Sequence, residues 1–87
     1  MADQELTADE IAQHFSAMDD SVNLINETVA DDADALKIYG SADEVKLMVT
    51  RNTDHLELQL GKDWAEEDSR DKSSYVDAIS AGKAYVE

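Results

Sequence analysis

His14 and His55 are the side chains in this 87-residue chain that titrate near neutrality without help from their surroundings, so proton-transfer or metal chemistry would start there. They stand on separate segments, with no HExxH arrangement to bring two imidazoles to one zinc ion. His14 lies just beside Phe15 and Met18, and His55 borders Met48 and Asn52. Both are boundary positions, where a packed or solvent-facing imidazole is expected. Serines are plentiful, but none sits in a Gly-x-Ser-x-Gly elbow, and no glycine-rich phosphate loop exists. Asp31, Asp32 and Asp34 lack the Asp-x-Asp-x-Asp-Gly order and the closing glutamate of a calcium loop. With 21 acidic residues, carboxylate pairs are everywhere, so no pair stands out for acid–base work. The expectation is a protein that is not an enzyme, with no cofactor and no metal.

The elements that would have to position such groups are helices. The chain has no proline and only three glycines, which favours helices with few breaks. It has no cysteine, which rules out disulfides and thiolate ligands and fits a cytosolic or otherwise unstapled setting. Two similar phrases, "TADEI" at 7–11 and "SADEV" at 41–45, read as helix starts. Thr7 and Ser41 can accept from the first-turn N–H groups, and Glu10 and Glu44 can reach back to the N–H of the cap residue.

Behind Thr7, apolar residues fall at Ile11, Phe15, Met18, Val22, Ile25 and Val29, a coiled-coil-like stripe about 80° wide. Asp9, Asp20, Glu27 and Asp31 share the opposite face, with Leu24 the one large apolar residue among them. Residues 1–36 hold ten acids, Asp3 and Glu5 included, and no Lys or Arg. A solvated face is the plain reading of this charge. The sharper one is a carboxylate row that imitates a phosphate backbone.

"DDADALKIYGS" at 31–41 reads as a frayed continuation of the first helix or a loop with one short turn, stopped at Gly40. A second helix runs from Ser41 to about Leu60, its apolar side formed by Val45, Met48, Val49, Asn52, Leu56 and Leu60, with Gly61 just past its end. "LELQL" at 56–60 alternates like a strand, but its register upstream is helical. Leu47 and Leu58 lie on the other side of this helix, covered by a neighbour or open to a partner. Asp63 with Glu66 makes another N-terminal box, and Trp64 is placed to staple the turn to the core. From Ser73 to Val86 a last helix presents Tyr75, Ile79, Gly82 and Val86, flanked by Ala78 and Tyr85. Gly82 in mid-helix implies a close helix approach or a late break.

The fold class is therefore all-α. The expectation is one domain over 1–87, a small three-helix bundle or a helical hairpin plus C-terminal helix, with helices at about 8–30, 42–60 and 73–86. A formal net charge of -14 argues against nucleic acid or anionic lipid as a direct partner, and periodic apolar residues making up 43% of the chain argue for folding. No apolar run approaches the roughly 18 residues of a membrane span, and "MADQELTADE" has neither the basic nor the apolar part of a signal peptide.

"RNTDHLELQLGKDW" (Arg51 to Trp64) and "VDAISAGKAYVE" (Val76 to Glu87) resemble a loose set of small, mostly uncharacterised proteins of tailed bacteriophages. Those proteins carry an Arg-Asn-x-x-His-Leu-Glu run, a Trp-containing acidic turn and a closing helix ending in Ala-Gly-Lys-Ala-Tyr or similar. "DSVNLINETV" at 20–29 is similar to their opening helix. The acidic stretch before Lys37 has no match in that group. The resemblance implies a virion structural or assembly protein, placed in the virion or the bacterial host cytoplasm, and supplies no functional residues. On this expectation helical apolar faces bind another copy or a larger capsid, neck or tail protein, with Leu47, Leu58, Trp64 and Tyr85 as candidate contacts. The alternative is an acidic mimic of nucleic acid that inhibits a host nuclease or a transcription or defence protein through Asp9, Asp20, Glu27 and Asp31.

Overall fold

Thr7 Oγ1 accepts from the Glu10 N–H at 3.1 Å, and the Glu10 carboxylate accepts from the Thr7 N–H at 2.9 Å, closing the capping box that starts the first helix. The computed structural model describes residues 6–87, so Asp3 and Glu5 lie outside the described residues. Its elements are α1 (Ala8–Ala30), α2 (Asp32–Tyr39), α3 (Ala42–Leu60), α4 (Asp63–Glu67) and α5 (Ser73–Val86), with no strand among the described residues. The chain is an all-α bundle of three long helices, and these fall where the apolar periodicity put them.

Four contacts give the topology. Trp64, just past the end of α3, packs on Phe15 near the start of α1, while Ser21 further along α1 reaches Asn52. α3 therefore runs against α1. Tyr75 near the start of α5 meets Asp19 of α1, and Gly82 further on lies against Thr53, so α5 runs with α1 and against α3. Phe15, Met18, Val22 and Ile25 of α1, Leu56 of α3, Ala65 of α4, and Tyr75 and Ala78 of α5 form the core between these helices. Val45 and Val49 are also fully buried on α3.

Four expectations need correction. Residues 31–41 are neither frayed nor a loop: Asp31 Oδ1 accepts from the Asp34 N–H at 3.3 Å, and eight helical residues follow before Gly40 ends them at φ 93. Asp31 consequently ends α1 and caps α2, and it remains exposed. Val29 belongs to the apolar stripe by spacing but is 45% exposed at the last turn of α1. Asp63 is not a cap. Lys62 holds that position without a side-chain bond, and Asp63 is the first helical residue of α4. At α3 the cap is half of the expected box: Ser41 Oγ accepts from the Glu44 N–H at 3.2 Å, with no return bond from Glu44 among the described residues.

Candidate interaction surface

Polar side chains capable of chemistry gather in two places, and in both they are held by structural bonds. The first joins α1 to α3. Asn52 Nδ2 donates to the Met48 carbonyl at 2.8 Å, which turns its Oδ1 toward the Ser21 hydroxyl, 2.8 Å away. The Ser21 hydroxyl donates to that oxygen, and His55 Nδ1 lies 3.0 Å from Ser21 Oγ, within hydrogen-bonding distance. The trio ties α1 to α3 at this register. Asn52 on an otherwise apolar helix face, with Ser21 beside the α1 stripe, was the sequence signal for it.

The second cluster joins α1, α4 and α5. Trp64 stacks on His14 with ring centroids 4.9 Å apart and meets Phe15 edge-on at 5.5 Å. Arg70 lays its guanidinium over the Phe15 ring at 3.8 Å and pairs through Nε with Asp68 at 2.8 Å, which raises the Arg70 pKa and lowers that of Asp68. Lys72 Nζ donates to the Asp68 carbonyl. The Tyr75 hydroxyl donates to Asp19 Oδ1 at 2.6 Å. Burial first, and the Asp19 carboxylate second, push the Tyr75 pKa up to about 12. Such a phenol stays protonated and serves as a strut. Among the described residues, no three His, Asp or Glu side chains converge as a metal site would require, and no helix is long and apolar enough to cross a membrane.

The remaining surface carries the candidate contacts. Leu47 and Leu58 are 40% and 61% exposed on the side of α3 away from the core. Packing by neighbouring helices does not account for them: α1, α2 and α5 all touch α3, yet leave this side open. Trp64 and Tyr85 are half-buried, and Trp64 faces inward onto His14 and Phe15, so the four candidates do not form one patch. Between Leu47 and Leu58 lie Arg51 and Asp54, both exposed and in no ion pair among the described residues. Sequence reasoning passed over these two, although their spacing with the leucines was visible.

Asp9, Asp20 and Glu27 are exposed along the outer face of α1, as the sequence implied. A shallow groove where α1 meets α2 is lined by Leu24, Thr28, Ala35, Ile38 and Tyr39 and edged by Glu27, Asp31 and Asp34. No family of known proteins, no curated protein and no solved structure matches this chain.

Proposed function

We infer that this protein is a non-enzymatic structural or assembly component of a phage particle, which acts by binding protein through the outer face of α3. The observation that carries the reading is the exposure of Leu47 and Leu58 on one side of a helix whose opposite side is fully packed. Large apolar side chains aligned on a rigid helix lose water on docking and gain by it. The phage setting rests on the resemblance at Arg51–Trp64 and Val76–Glu87.

The test is recovery of the chain from purified particles. It should be present in a fixed ratio to the major structural protein, and L47D with L58D should remove it while helicity stays the same. Absence of the unsubstituted chain from particles would overturn the reading.

A second reading is favoured by one observation, the exposed line of Asp9, Asp20 and Glu27 on a single 23-residue helix. As a nucleic-acid mimic the protein would occupy a basic groove with an affinity that falls steeply with salt. Changing Asp9, Asp20, Glu27 and Asp31 to Asn and Gln would abolish that binding, and unchanged binding would reject the mimic.

A further inference from the structure

Leu47, Arg51, Asp54 and Leu58 follow one another at spacings of 4, 3 and 4, and at 100° per residue they fall within a band about 60° wide on the outer face of α3. That is the spacing of a coiled-coil seam, with apolar residues at its ends and opposite charges in the middle. The order has a symmetry of its own. The midpoint of Leu47 and Leu58 and the midpoint of Arg51 and Asp54 are the same point, between Asn52 and Thr53.

We propose that the occupant of this face is a second copy of the chain, its α3 lying antiparallel across a two-fold axis at that midpoint. A two-fold axis there sets Leu47 opposite Leu58 of the other copy and Arg51 opposite its Asp54, each contact made twice. These are the layers an antiparallel coiled coil forms, at the shallow crossing angle of such packing. Charge selects the orientation. A parallel pairing would put Arg51 against Arg51 and Asp54 against Asp54, whereas the antiparallel one matches opposite charges.

The net charge of -14 repels a second copy at long range, where salt screens it, but none of it lies on residues 45–60. Residues 45–60 carry Lys46, Arg51, Asp54 and Glu57, two positive and two negative, so the whole net resides elsewhere. Arg51 and Asp54 have no ion-pair partner within the described chain, and Glu57 is already engaged with Lys83 of α5 at 2.6 Å. One helix face buries little area, which makes the pair weak and concentration-dependent rather than obligate.

The inference rests on the reading of the outer face of α3 as an interaction surface and names its partner. It is tested by sedimentation equilibrium on the intact chain between about 10 µM and about 1 mM, where small interfaces of this kind dissociate. The wild-type mass should rise toward two chains and no further. R51D alone and D54R alone should each weaken the pairing by roughly tenfold or more, since each sets like charges face to face. An equimolar mixture of the two variants should pair again, because at both contacts the R51D copy then offers a carboxylate and the D54R copy a guanidinium. The double variant R51D/D54R should pair with itself.

All four positions are exposed, and far-UV circular dichroism establishes that each variant is folded. A wild type that stays single-chain throughout, a mass that exceeds two chains, singles that associate like wild type, or a mixture that fails to associate would each overturn the pairing. The particle experiment separates this failure from that of the functional reading. A single-chain protein that still enters particles, and is lost from them with L47D and L58D, would leave the α3 face as a docking surface for a different protein.

Discussion

Gly82 of α5 lies over Thr53 of α3 so closely that a Cβ on Gly82 would overlap Thr53 Oγ1 and stand 3.5 Å from Val49 Cγ1. This contact sets the spacing of the two helices, and it explains a glycine in mid-helix where alanine would favour the helix by about 1 kcal/mol.

Gly82→Ala should therefore destabilise the fold in spite of its better helix propensity, by about 2 kcal/mol as an overpacked contact does. Adding Thr53→Ala removes the hydroxyl that the new methyl strikes, so the double variant should lose less than the two single losses combined. Urea unfolding of the four proteins measures this, and simple additivity would contradict the close approach.

Thr53 Oγ1 is buried with no hydrogen-bond partner among the described residues. Thr53→Val keeps the shape and removes the unsatisfied hydroxyl, so stability should rise by about 1 kcal/mol. A loss on thermal unfolding would mean that the hydroxyl has a partner in solution.

Tyr75 should give the bundle a weakness on the alkaline side. Its folded pKa, about 12, lies above the ordinary 10.0, so the fold favours the protonated phenol. That contribution is fully present below pH 10 and is lost as pH rises through 12. Unfolding midpoints should fall across this window in the wild type and stay flatter in Tyr75→Phe, which at neutral pH costs about 2 kcal/mol for the lost bond to Asp19. Asp19→Asn should lower the phenol titration, followed by ultraviolet absorbance, but not all the way to 10.0, because burial is the larger cause. A titration unchanged in Asp19→Asn would contradict the pairing.

Asn52 both donates to Met48 and accepts from Ser21. Asn52→Asp keeps the acceptor but sets a carboxylate against the Met48 carbonyl, and should cost about 2 kcal/mol at neutral pH. Ser21→Ala leaves the amide one partner short and should cost less, about 1 kcal/mol. Denaturant melts in which Asn52→Asp equals the wild type would remove the trio as a register device.

The long helices were legible because their signals are local. Thr7 with Glu10, Ser41, and the 4-3-4 run from Ile11 act within a few turns of chain. What was not legible depended on tertiary placement. Val29 continues the stripe in sequence, and only the tertiary arrangement of the helices leaves it exposed. Asp31 is exposed, as a surface acid would be, but that its side chain also starts a new helix shows only in the structure. Leu47 and Leu58 were ambiguous for the same reason, since a helix with two apolar sides can be central or open. Arg70 over Phe15 joins residues far apart in sequence, and its loop composition gave no hint of it. The α3 face itself was visible as a pattern. Its symmetry about the Asn52–Thr53 midpoint gains meaning only once the face is free of neighbours.

The most direct test of the outer face of α3 as the site of association is a dilution series followed by amide chemical shifts, residue by residue, over the concentrations at which mass is measured. Shifts that move with concentration should be confined to the outer side of α3, centred on Leu47, Arg51, Asp54 and Leu58, and should need roughly tenfold or more higher concentration in Arg51→Asp. Concentration-dependent shifts that map instead to the groove where α1 meets α2, or to no part of the molecule, would contradict it.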